Sequence, residues 1–381
     1  MKRLGCLIAV LCILFTCAPA VHAEEQTYPG KSHILMDAAT GTILYASNEH
    51  EALAPASVTK VMTLLLIMEA IDSGSISWSD TVTASEAAAA KGGSQIYLKV
   101  GETMTVEDMV KSIAVSSAND CACAMAEHLA GSESAFVEKM NQRAQELGMN
   151  DTHFVNCTGL DDGANASEHV TSAHDIAVMS RELLVNHPDI KRFTTIWMDS
   201  VRNGTFGLSN TNKLIRFYSG ATGLKTGFTH SAGYCLSASA ERDGMELIAV
   251  VMGCETSQNR FDACRGMLDY GFANYALYEG QTPEDASVAV KLGQSDAVKA
   301  VPGDDCRLLV QKSQRSQITT EVELDAQITA PGSQGQRLGQ MTVRCGEQVL
   351  SQIPLVAETA VERLSWLDLF LELLGRIAMA G

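Results

Sequence analysis

The chain has 381 residues, of which 46% are apolar, 19% charged and 6% aromatic. That is enough apolar material for two or three packed domains, and too much for a disordered or collagen-like chain. Lysine and arginine total 28 against 45 acids, a net charge of −17, and so acidic a surface repels phosphate backbones and argues against nucleic acid as a partner.

At the start, Met1-Lys2-Arg3 precedes an apolar run from Leu4 to Phe15, then small residues up to Val21-His22-Ala23. This order reads as a secretory signal peptide over 1–23, with Glu24 opening the mature chain. The apolar run is too short to span a membrane. Lys2 and Arg3 both lie in the leader, so the mature net charge is −19. Cys6, Cys12 and Cys17 leave with it, and eight cysteines remain. There is no Cys-x-x-Cys and no Cys/His cluster at zinc spacing, so neither a metal nor another cofactor is expected. The pairing of the eight is open: disulfides and dispersed buried thiols both fit.

Residues 33–45 read as strand, turn, strand around Ala39-Thr40-Gly41. The long apolar segment after Pro55, from Ser57 towards Gly74, has the length and leucine content of a buried helix. Residues 106–130 and 134–147 alternate at helical spacing and close on Gly131 and Gly148. Residues 172–186 are helical as well. Residues 233–252 form a hairpin about Asp243-Gly244. The first 275 residues therefore make one α/β domain whose sheet is assembled from distant parts of the chain. A linker at Pro283-Glu284-Asp285 leads to short alternating runs at 287–292, 307–312, 318–324, 340–344 and 349–356, a small all-β domain. The last segment, Val361–Met379, reads as a helix with one narrow polar stripe, and is expected to lie in a membrane interface. Its charges sum to −1 rather than being basic, so apolar burial would carry that binding. The expected division is 1–23 signal peptide, 24–278 catalytic domain, 279–358 β-rich domain and 359–381 membrane-anchoring helix.

Three short patterns carry chemistry. Ser57-Val58-Thr59-Lys60 sets a hydroxyl and an amine nearly one helical turn apart, on one face. Serine is a poor nucleophile until a base takes its proton, and a lysine can be that base if burial or a nearby cation depresses its pKa. A helix start also offers backbone N–H donors beside the nucleophile. Ser117-Ala118-Asn119 supplies a second hydroxyl and an amide, and Lys225-Thr226-Gly227 a cation and a hydroxyl able to hold a carboxylate. Each alone is uninformative, and Ser257-Gln258-Asn259 fits the second pattern with no role expected. In order, spaced by 60 and 108 residues, the set marks the penicillin-binding proteins and serine β-lactamases.

The wording around the motifs resembles the low-molecular-weight D-alanyl-D-alanine carboxypeptidases: Pro55-Ala56-Ser57-Val58-Thr59-Lys60, Gly223-Leu224-Lys225-Thr226-Gly227, Ala232-Gly233-Tyr234, and Thr158-Gly159-Leu160-Asp161 with His169. The resemblance implies a penicillin-binding, β-lactamase-like α/β transpeptidase domain, a β-rich second domain and an amphipathic anchor. It implies attack by Ser57 on the penultimate D-Ala carbonyl of peptidoglycan stem peptides, with Lys60 as general base. By the same resemblance the oxyanion lies between the N–H groups of Ser57 and Phe228, and Ser117 passes a proton to the leaving amine. Asn119 binds the peptide, Lys225 supplies positive field, Thr226 binds the terminal carboxylate and Arg260, rather than nearby Arg265, assists it. β-Lactams would be covalent inhibitors, and the protein would sit outside the cytoplasm, peripheral on the membrane. Cys157 and Phe228 depart from the family's usual residues at their positions, and His230 is read as a rim residue. Competing readings are a β-lactamase, a DD-endopeptidase, and a noncatalytic β-lactam sensor or wall-binding protein of the same fold.

Overall fold

The computed structural model describes residues 27–161 and 165–371; the expected signal peptide lies outside them, as does the part of the expected terminal helix after residue 371. The central sheet has five antiparallel strands in spatial order Ile43–Ser47, Ser32–Asp37, Met245–Cys254, Gly233–Arg242 and Ala221–Thr229. Two hairpins expected from the sequence, joined edge to edge, supply four of these strands. At the second hairpin's turn Asp243 and Gly244 both have positive φ, 51° and 77°, the geometry that a two-residue hairpin loop demands.

Both faces of the sheet are covered. Alternate residues Ile34, Met36, Ile248 and Val250 enter one core with helices Lys60–Asp72 and Ala173–Asn186. Leu35, Leu247, Ala249 and Val251 enter the other, under helix Ser257–Asn274. That double burial explains why these strands read as continuous apolar runs. Helix Lys60–Asp72 is apolar on all sides because helices pack around it, as a core helix must.

The expected helix 106–130 is two helices, Val106–Ser116 and Asn119–Ala130. Ser117 takes a left-handed conformation, φ 63°, and breaks the run. The apolar pattern continues across the break because Val115, Ala118 and Cys121 are all buried, so periodicity alone hides it.

The C-terminal unit is a six-stranded sheet in the order Ile318–Leu324, Arg337–Cys345, Gln348–Ala357, Ala297–Pro302, Ser287–Lys291, Gln327–Thr329. Val288, Val298, Leu338, Met341, Ile353 and Leu355 form its core. Strand Tyr275–Glu279 runs straight on from helix Ser257–Asn274 and pairs with Arg307–Gln311, so the expected domain edge at 278/279 falls inside a strand. The expected start of the terminal helix is corrected. Val361 and Arg363 bridge in extended form to Gly332 and Gly293, and helix begins at residue 366. Ser365 caps it: its Oγ accepts from Asp368 N, and the Asp368 carboxylate accepts from Ser365 N in return, a reciprocal box at the N-terminus. Among the described residues no helix is long and apolar enough to cross a membrane. The eight cysteines among the described residues are free thiols, six of them buried.

Candidate active site

Ser57 sits in a tight 3₁₀ turn, Ala56–Thr59, that feeds the buried helix. Ala56 is held at φ 48°, a strained conformation that its surroundings must enforce. The enforcing network is complete. Val155 N–H donates to His169 Nδ1 at 3.0 Å, which leaves the proton on Nε2. That N–H donates to Thr59 Oγ1 at 2.7 Å, and Thr59 Oγ1 donates to Ala56 O at 2.8 Å. Burial, with smaller contributions from His153 and Lys60, pushes the His169 pKa down to about 4, so the imidazole stays neutral. Gly159 closes the turn from outside, where a Cβ would stand 1.8 Å from Ala56 O.

Lys60 is wholly buried. Its Nζ lies 3.0 Å from Ser57 Oγ and donates to Thr158 O at 2.7 Å. Burial pushes its pKa down to about 7, against weaker opposing effects of Cys157 and Asp120. An amine that is half deprotonated at neutral pH beside a serine hydroxyl can take its proton.

The third motif lies on a nine-residue edge strand, Ala221–Thr229, where the sequence suggested only the approach to a strand. Lys225 is buried, and its pKa is held well below the usual value by burial first, then by Lys60 and Arg260. Gly227 lets the strand meet the serine turn: a Cβ there would stand 2.6 Å from Pro55 O and 3.2 Å from Ser57 N. Thr226 Oγ1 donates to Thr211 Oγ1 at 2.6 Å. Phe228 is 46% exposed and stacks on Tyr234, with ring centroids 4.3 Å apart. His230 is exposed and meets Phe228 edge-on.

Thr211 links the helix that ends at Ser117 to the motif strand: its N–H donates to Val115 O at 3.2 Å and its Oγ1 accepts from Thr226. Asn119 Nδ2 donates to Gly92 O at 2.7 Å. Ser117 Oγ and Asn119 Oδ1 are buried with no partner among the described residues. Buried polar groups are nearly always paired, so two orphans on one motif are free to bond a ligand.

Arg260 is buried and donates to Gly227 O at 2.9 Å, with a longer contact to Cys235 O at 3.4 Å. Its guanidinium lies over the Tyr234 ring. Arg265 is solvent-facing and pairs with Asp262 one turn away, so of the two it is Arg260 that reaches the motif strand. There it braces the motif strand through its carbonyls.

Sequence reasoning missed Thr211, which lies in no motif. It also missed Asp120, whose position directly after Asn119 was the one available signal. Its buried carboxylate accepts from Ile96 N and Leu98 N at 3.1 and 3.0 Å. Among the described residues Glu69, Glu182 and His187 bring possible metal-ligand atoms together, but Arg143 already bonds both carboxylates at 2.7 and 2.8 Å.

Residues 19–256 match the family described as D-alanyl-D-alanine carboxypeptidase, peptidase family S11, and 273–363 match the C-terminal domain of penicillin-binding protein 5. D-alanyl-D-alanine carboxypeptidase DacF of Bacillus subtilis is 40% identical over 389 residues, which cover 98% of each chain. The crystal structure of penicillin-binding protein 5 from Haemophilus influenzae superposes with a TM-score of 0.73 at 29% identity, over 89% of this chain and 99% of that one. Ampicillin-bound penicillin-binding protein D2 of Listeria monocytogenes gives 0.59 at 30% identity, over 64% and 98%. By this match and these likenesses the chain belongs to the D-alanyl-D-alanine carboxypeptidase family.

Proposed function

We propose that this chain removes the terminal D-alanine from peptidoglycan stem peptides through an acyl-enzyme on Ser57. The observation that carries the reading is the Ser57–Lys60 pair, a hydroxyl 3.0 Å from a fully buried amine whose pKa is about 7. Neutral Lys60 takes the Ser57 proton as Oγ attacks the penultimate D-Ala carbonyl. The oxyanion forms between the N–H groups of Ser57 and Phe228, a reading supported by the close approach of Gly227, whose Cβ position lies 3.2 Å from Ser57 N. Ser117 Oγ passes a proton to the departing D-alanine amine, and the C–N bond breaks. Asn119 offers its free Oδ1 to the peptide N–H. Thr226 takes the terminal carboxylate in the positive field of Lys225, and Arg260 reinforces that field from behind the strand. Water then cleaves the ester and frees the shortened peptide. β-Lactams acylate the same serine.

The enzyme is exported by residues 1–23 and works on the outer face of the cell membrane. Attachment is supported by the start of the terminal helix, where Trp366, Leu367, Phe370 and Leu371 are all exposed. Trp366 and Phe370 stack one turn apart at 5.7 Å. An aromatic pair on an unpartnered helix suits a headgroup boundary.

The test is release of free D-alanine from diacetyl-Lys-D-Ala-D-Ala by the leaderless protein beside a Ser57→Ala control. Release by the wild type alone supports the reading. Penicillin acylation of Ser57 without release points to an endopeptidase or a sensor instead, and rapid penicillin hydrolysis to a β-lactamase. Co-sedimentation with anionic lipid vesicles, lost on truncation after Leu364, tests the anchor.

A further inference from the structure

Beside the catalytic cleft lies a second groove of about 510 Å³, lined by Ile96, Tyr97, Lys99, Glu102, Arg202 and Phe206 among others. Its two walls are built on strained backbone. Tyr97 has φ 60° and Arg202 φ 55°, conformations costly for bulky residues and seen where the surroundings over-determine them. At Tyr97 they do so from both sides. The Asp120 carboxylate accepts the N–H groups of Ile96 and Leu98. Arg202 donates to Ile96 O at 2.8 Å and Tyr97 O at 3.4 Å, and is itself fixed by Glu102 at 2.6 Å. The result is a tyrosine ring left 68% exposed, edge-on to Phe206 at 6.4 Å. Nothing in the fold needs that ring, since the clamps all grip backbone.

Both walls continue into the site described above. On one, Ser94 O accepts from Asn119 N at 2.7 Å and Gly92 O from Asn119 Nδ2. On the other, hairpin strand Phe206–Ser209 runs two residues on to Thr211, the partner of Thr226. The groove is thus an outward extension of the cleft, and its clamp, Asp120, is the residue after Asn119. Glu102 is held by Arg202 and also accepts the Lys99 backbone N–H at 2.9 Å, whereas the Lys99 side chain on the rim is exposed and its ammonium makes no ion pair within 4 Å among the described residues. An aromatic face beside an exposed ammonium suits a peptide segment with a carboxylate.

We propose that this groove holds the part of the stem peptide that precedes the D-Ala-D-Ala end, with Tyr97 as the residue that selects for it. The proposal rests on the carboxypeptidase reading and adds where the rest of the substrate lies.

The experiment compares D-alanine release from a full stem pentapeptide and from diacetyl-Lys-D-Ala-D-Ala, using wild type, Tyr97→Phe and Tyr97→Gly. Tyr97→Gly is expected to lower the pentapeptide's kcat/KM advantage over the short peptide about three- to tenfold, through KM. Tyr97→Phe retains the advantage. Because glycine relieves the positive φ, the Tyr97→Gly protein melts no lower than wild type, which separates lost binding from lost folding. An unchanged ratio in Tyr97→Gly, or equal losses on both substrates, overturns the groove assignment alone. Absence of release from either substrate by the wild type overturns the carboxypeptidase reading, and the groove's role with it.

Discussion

Replacing Lys60 with methionine is expected to abolish acylation while stabilising the fold, by an amount that shrinks as pH rises. The side chain is fully buried and its pKa falls from an ordinary 10.5 to about 7. Between those values the unfolded chain binds a proton that the folded chain does not, so wild-type stability rises with pH across that window. Below pH 7 both states are protonated and the folded protein carries the full cost of a buried ammonium. At 1.36 kcal/mol per unit, the stretch from pH 7 to 9 returns about 2 kcal/mol to the wild type. Methionine fills similar volume and does not titrate. The bonds lost to Ser57 Oγ and Thr158 O are a nearly constant offset. Lys225 works in the same direction, because Lys60 is one cause of its depressed pKa, and the variant relieves it. Urea unfolding of both proteins at pH 7 and pH 9 reads the effect directly: the variant's advantage falls by about 2 kcal/mol. Parallel pH dependence would refute the argument that burial, rather than pairing, sets the Lys60 pKa. The kinetic counterpart is acylation by a fluorescent penicillin that climbs with unit slope and levels near pH 7 in the wild type.

Gly227→Ala pushes a methyl into Pro55 O and Ser57 N, and a displacement of about 1 Å there is expected to slow acylation about 100-fold, measured by stopped flow. Ser117→Gly relieves φ 63° and removes a hydroxyl with no partner among the described residues, so stability rises by about 1 kcal/mol in thermal melts while D-alanine release is lost. Arg260→Ala unpairs the Gly227 carbonyl contact, and is expected to cost about 2 kcal/mol and to lower acylation. Arg265→Ala, which breaks only an exposed pair, changes either by less than about twofold.

The parts of the fold legible in the sequence are those where one period runs unbroken: two hairpins, the leucine-rich core helix and helix Ala173–Asn186. Helix Ser257–Asn274 was not legible, and the reason is physical. Gly266 and Gly271 dilute its pattern, yet both are demanded by packing. A Cβ at Gly266 would stand 2.7 Å from the Tyr28 ring, and one at Gly271 2.4 Å from Leu247. The motif strand was obscured in the same way by Gly223 and Gly227, and the break at Ser117 by a serine in a conformation that usually announces itself with glycine or asparagine. The three motifs were visible because catalysis fixes residue types at short spacing. Their supports, Thr211 and Asp120, were not, because a hydrogen bond to a backbone carbonyl or amide can come from any part of the chain; His169 and Thr59 stood out through the resemblance, but the bond between them did not. Some of the residues that weaken the secondary-structure signal are thus demanded by core packing, as Gly266 and Gly271 are, and others, Ser117 and Gly227, belong to the motifs themselves. Gly227 is the clearest case, since the close approach to Pro55 O and Ser57 N that demands a glycine there puts a residue of low strand propensity into the motif strand.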